Sequence, residues 1–184
     1  MKISDIAIAG LRRINDEVYV AEEAIVQIGS ERIAFLKTKA AESLRRRARI
    51  CVHRSSEDRL HEMLIAICAD SYIHPHKHLG KSESFHIVEG IVDVVVFEDS
   101  GAIREVIPLG DANSGRSFFY RLADSLFHTL LIRSQVLVVH EVTNGPFLRD
   151  EAVLAPFAPP EGQADAVQAY VASVAEAVAQ RPTV

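Results

Sequence analysis

The sequence predicts a mainly β protein: a single antiparallel barrel of short strands, with one helix before it and one after it. Two observations predict this class. From residue 49 onward, apolar segments of strand length alternate with polar turns for about ninety residues without intervening helices, and helical spacing of apolar residues appears only outside that block. Short strands in such succession pair as antiparallel sheets rather than through parallel crossovers. A chain of 184 residues has room for one domain of this kind with terminal additions. The expected division is 1–48 for an N-terminal strand and helix packing on the barrel, 49–147 for the barrel, and 148–184 for an irregular segment and a C-terminal helix.

Residues 18–28 read as a mixed β-like stretch, after which Ser30 offers a helix cap. Ile33, Leu36, Ala40 and Leu44 recur at helical spacing, so one stripe of that helix faces the core. The helix is expected to end in Arg45-Arg46-Arg47-Ala48-Arg49, where cations suit the negative end of its dipole. Strands are predicted over 49–53, 63–69, 72–76, 84–89, 91–98, 103–108, 117–122, 127–132 and 136–142. Turn signals separate them at Gly80-Lys81, Glu89-Gly90, Asp99-Ser100-Gly101, Gly110 to Gly115 and Asn144-Gly145-Pro146. After Phe147, Pro156, Pro159 and Pro160 interrupt any regular element. A second helix opens at Asp165 with Gln168 in capping-box position, and Val167, Tyr170, Val171, Val174 and Val178 form its apolar stripe. Phe85, Phe97 and Phe127 are assigned to the barrel core.

Composition narrows the function classes. With 48% apolar and 24% charged residues the chain is globular. A net charge of −5 repels a phosphate backbone, and the arginine run has no interleaved aromatics, so no nucleic-acid partner is expected. Cys51 and Cys68 fall on separate strands with no Cys-x-x-Cys pair, which suits buried thiols in a reducing cytoplasm. No apolar run approaches the ~20 residues that cross a bilayer. Residues 1–13 carry Asp5 in their apolar run and no cleavage site, so neither a membrane span nor a secretory leader is expected.

The chemistry concentrates between Tyr72 and Gly90. His74, His76 and His78 alternate, and alternate side chains on a strand share a face, so His76 and His78 can converge on one point inside the barrel. Pro75 forces His74 into an extended conformation. A turn near residues 79–81 then reverses the chain and brings Glu83 back beside the imidazoles. Imidazole nitrogen with carboxylate oxygen suits one divalent transition metal (Zn, Fe, Mn, Ni or Co) and is too nitrogen-rich for Mg or Ca. His128, at the start of an apolar strand, is the best fourth ligand, and the remaining positions would stay open to water or substrate.

Around that set, His74 is expected on the pocket wall and His86 on the opposite face of its strand, while His53, His61 and His140 show no ligand spacing. Arg49 and His53, four apart, share a face; were that face interior, Arg49 would need a carboxylate or phosphate partner. Tyr120 is a candidate pocket hydroxyl.

His76-x-His78, Glu83 after four residues and Gly90 after six more resemble the first cupin motif, with Asp70 where glycine usually begins it. The second motif is present in outline: His128 holds its place, but Ala123, Ser125 and Ile132 stand where proline, glycine and asparagine are common. More narrowly, the chain resembles the WbuC family of cupin-fold metalloproteins, found among genes for bacterial surface-polysaccharide (O-antigen) synthesis. Arg47 to Ser55, Tyr72-Ile73-x-Pro75-His76-x-His78, Glu141-Val142-x-x-Gly145-Pro146-Phe147 and Phe157 to Glu161 carry that likeness, with Pro159 where tryptophan is more usual. The resemblance covers roughly residues 30–162 and also points to His53 as a pocket residue, so the catalytic candidates are His74, His53, Arg49 and Tyr120.

It implies a double-stranded β-helix, or jelly-roll, barrel and a sugar-related substrate. The leading expectation is a metal-dependent isomerase or epimerase acting on a small polar molecule such as a sugar or nucleotide sugar. The alternatives are a non-haem metal dioxygenase and a non-catalytic sugar-binding cupin. A perturbed second titratable group beside the metal would favour an enzyme, and neutral lining would favour a binding module. Sheet edges left by the N-terminal strand suggest a homodimer.

Overall fold

In the computed structural model the described residues, 10–148 and 151–181, form twelve strands and two helices. In order these are β1 (Leu11–Arg13), β2 (Val18–Ala21), α1 (Ser30–Glu42), β3 (Arg47–Cys51), β4 (Leu60–Cys68), β5 (His76–His78) and β6 (Glu83–Glu89). There follow β7 (Ile91–Phe97), β8 (Ile103–Gly110), β9 (Phe119–Leu122), β10 (Phe127–Ile132), β11 (Val136–Asn144), β12 (Ala152–Leu154) and α2 (Ala164–Ala179). Most of the opening stretch weighed as a leader lies outside the described residues.

The strands form two sheets, neither closed on itself: β1-β2-β3-β4-β11-β6-β9 and β12-β5-β10-β7-β8. Their inner faces meet through Ile67, Phe85, Ile87, Leu137 and Val139 of the larger sheet and Val92, Val94, Val96, Leu109 and Leu130 of the smaller. Of this filling, Ile67, Phe85, Leu130 and Val139 also line a cavity. Gly90 makes the tight turn from β6 to β7 with φ 94°, where a Cβ would stand 2.6 Å from the Val136 carbonyl oxygen, so a side chain is excluded there.

Several expectations are corrected. The pairing is not wholly antiparallel, because β2 and β3 run parallel with α1 crossing between them. Helix α1 buries Ile33, Leu36 and Ala40 against the outer face of the larger sheet but stops at Glu42, short of the arginines. There the Ser43 hydroxyl accepts the Arg47 N–H (2.9 Å) and Arg46 turns to φ 57°, so that Arg47–Cys51 extends as β3 beside β4. Leu44 is therefore off the stripe and 97% exposed.

Neither helix has a side-chain cap: Gly29 precedes α1, and Gln163 precedes α2, which starts at Ala164 rather than Asp165. Of residues 72–76 only His76 is in a strand, and β12 forms in the segment expected to be irregular. Helix α2 covers the outer face of the smaller sheet, setting Val174 against Val95, Phe97, Phe127 and Leu131. Phe97 and Phe127 thus belong to this outer core, and only Phe85 lies between the sheets.

Candidate metal centre

Strand β10 lies between β5 and β7 and sets His128 directly across from His76. From His78 the chain does not simply reverse. It crosses by residues 79–82 into the other sheet, so Glu83 faces the three imidazoles from the opposite wall. The crossing is fixed by the Ser82 N–H on Asn144 Oδ1 (2.9 Å), Thr143 Oγ1 on the Ser82 carbonyl (3.0 Å) and Ser125 Oγ on the His78 carbonyl (2.6 Å).

One ligand atom from each of His76, His78, Glu83 and His128 falls within 4.8 Å of all the others. His78 Nε2 and His128 Nε2 each stand 3.3 Å from a different oxygen of Glu83. His76 Nδ1 lies 2.9 Å from the His74 carbonyl and His128 Nδ1 3.0 Å from that of Leu126. A carbonyl only accepts, so both Nδ1 atoms carry a proton, which leaves each Nε2 as the atom that would ligate an ion when the ring is neutral. Tyr120 donates its hydroxyl to Glu83 Oε1 (3.1 Å) and orients that carboxylate.

The donor set fits a divalent transition metal. His128 is 2% exposed, and its Nε2 has no hydrogen-bond partner, an orphan that an ion would satisfy. Burial and the neighbouring His128 push His76 down to about 4, keeping it a neutral ligand. Burial opposes charge on both Glu83 and His128, yet their mutual attraction prevails: the Glu83 carboxyl is held below the usual carboxylate range and His128 is raised.

The four side chains line a cavity of about 410 Å³, a size suited to a small molecule. Met63, Ile65, Phe85, Leu130 and Val139 supply apolar wall. Of the catalytic candidates, Arg49 and His74 line this cavity, while Tyr120 stands behind Glu83. His53 is not among the lining residues; its ring stacks at 4.1 Å on His61, which is buried and does line the wall. His86 is exposed on the outer face of β6.

Sequence reasoning did not single out Glu141 as a site residue. On β11 it follows Leu137 and Val139 with the same parity, so its carboxyl faces the cavity, and that parity was the available signal. Burial first, then the Glu83 charge, raise it to about 8 against the opposing pull of Arg49 and His128. A carboxyl raised on folding binds an extra proton in the folded state above its ordinary range. Its stabilising contribution is full below about 4.5 and fades as pH climbs toward about 8. In metal-free protein, urea titrations from pH 5 to 9 are therefore expected to show a smaller alkaline loss of stability for Glu141→Gln than for wild type.

A family model described as a domain of unknown function (DUF6016) matches residues 28–109, less than half of the chain. No curated protein matches it. Among solved structures, protein SO0799 from Shewanella oneidensis aligns with TM-score 0.51 and 14% identity, over 69% of this chain and 83% of that one. Bacillus subtilis oxalate decarboxylase, a protein with Mn(II) centres, aligns with TM-score 0.42 and 14% identity over 53% of this chain and 24% of that one. The cupin domain of Schizosaccharomyces pombe Cnp3 aligns with TM-score 0.42 and 10% identity over 53% of this chain and 64% of that one. The chain shares its fold with the Shewanella protein, and a cupin domain stands among the structures similar to it.

Proposed function

We propose that this chain is a WbuC-like cupin enzyme that holds one divalent transition metal through His76, His78, Glu83 and His128. Its substrate would be a small polar molecule such as a sugar or nucleotide sugar of surface-polysaccharide synthesis, and its reaction an isomerisation or epimerisation. The observation that carries this reading is Glu141, a carboxyl on the cavity wall beside the four ligand residues with no ion pair or side-chain hydrogen bond among the described residues. A binding module lined by neutral donors has no use for such a group.

When bound, the metal supplies Lewis-acid polarisation of a carbonyl or hydroxyl pair. Glu141 gives and takes the proton at carbon, Tyr120 holds Glu83 in place, and Met63, Ile65 and Leu130 give the cavity apolar wall. Free, buried Cys51 and Cys68 support a reducing, cytoplasmic setting. Strand β9, a four-residue edge carrying the exposed Phe119, supports a homodimer. Among the described residues no helix is long and apolar enough to cross a membrane.

The test incubates protein loaded with Mn(II), Zn(II) or Fe(II) in D2O with hexose phosphates and nucleotide sugars, and follows deuterium entry at carbon by NMR. Exchange that falls by about 100-fold or more in Glu141→Gln at unchanged metal content supports the reading. Oxygen uptake by the Fe(II) form without exchange would instead favour the dioxygenase. Saturable sugar binding with neither reaction would leave a binding cupin.

A further inference from the structure

The cavity carries four cations, and three are already satisfied. Arg45 holds Glu161 through two contacts (2.8 and 3.0 Å), Arg47 reaches the same carboxylate at 2.7 Å, and Lys81 pairs with Glu151 at 2.8 Å. Arg49 differs. Its guanidinium makes no hydrogen bond or ion pair among the described residues, although it stands on the same wall beside Met63 and Ile65. Arg49 is exposed at the cavity rim, and the acid that feels its charge there is Glu141, to which it makes no direct ion pair, so its fork of donors stays open to an anion that arrives from solution.

The sheet order supplies the spacing. Arg49 on β3, Glu141 on β11 and Glu83 on β6 face the same side of the sheet; β3 and β6 are three strand spacings apart, and Arg49 lies level with Ile65, Val139 and Ile87, four residues along β6 from Glu83, so the backbone separation is diagonal, about 19 Å. Side chains reaching inward from both ends shorten that gap to the length of a monosaccharide bearing one charged group, with Glu141 between the ends.

We infer that Arg49 anchors a carboxylate or phosphate of the substrate, so that the cavity takes anionic sugars in preference to neutral ones. This rests on the reading of the cavity as the substrate site of a metal-dependent enzyme. Planar guanidinium recognition of either anion is bidentate, so both share the same anchor.

Isothermal titration of the Zn(II)-loaded full chain with glucose 6-phosphate, glucuronate and glucose separates the two anions from each other and from the neutral sugar. The expected result is saturable binding of at least one anionic sugar about tenfold or more tighter than glucose, with that preference lost in Arg49→Gln and partly kept in Arg49→Lys. Zinc content is measured alongside and is expected to be equal in all three proteins. Equal affinities for charged and neutral sugars, no binding of any, or affinities indifferent to Arg49→Gln would overturn the inference while leaving the metal reading intact. Failure of the metal reading shows separately, as wild type that retains no zinc.

Discussion

Replacing His128 with alanine is expected to strip the purified protein of its metal, lowering affinity by well over about 100-fold, because even changes that only reorient a ligand cost 10–100-fold. The reason lies in the geometry. His128 is 2% exposed, its Nδ1 is committed to the Leu126 carbonyl, and its unsatisfied Nε2 faces Glu83 and the other imidazoles. A bound ion stabilises the folded chain in proportion to how far its concentration exceeds the dissociation constant, about 2.7 kcal/mol at a hundredfold excess. Adding metal should therefore raise the melting temperature of wild type and leave that of His128→Ala unmoved. Far-UV circular dichroism of the variant checks that the sheets persist.

Phe97→Ala is expected to cost about 3–5 kcal/mol, as complete truncation of a buried phenylalanine does. Phe97 is 2% exposed and sits with Val95, Phe127 and Leu131 under Val174 of α2, its ring 5.4 Å from that of Phe157. Urea denaturation should show a lower midpoint at unchanged slope. Phe119→Ala, at a ring 53% exposed on the edge strand, should stay within about 0.5 kcal/mol of wild type. A small effect at Phe97 would mean that α2 does not dock on this sheet.

The histidine and glutamate set was legible because strand parity is a local property: His76 and His78 needed only alternation, and Glu83 only a short connection. What parity could not reveal was that the connection changes sheets, which makes Glu83 face the imidazoles instead of lying beside them. Glu141 was hidden by its company, an acid inside an otherwise apolar strand, although its parity with Val139 marks its face. The parallel pairing of β2 and β3 was in fact implied by a strand, helix, strand succession. Strand β12 was beyond sequence reasoning, since three residues near prolines become a strand only by pairing with His76–His78. The end of α1 was misjudged because Leu44 keeps the helical spacing while β3 claims the residues after it. Phe97 and Phe127 read correctly as buried, but which side of a sheet buries a residue depends on what covers it.

The most direct test is a crystal structure of untagged protein with anomalous data collected at the absorption edge of the metal found by elemental analysis. One peak is expected between the sheets, about 2.0–2.2 Å from Nε2 of His76, His78 and His128 and from a Glu83 oxygen. No metal by elemental analysis, or a peak held by other side chains, would contradict the account.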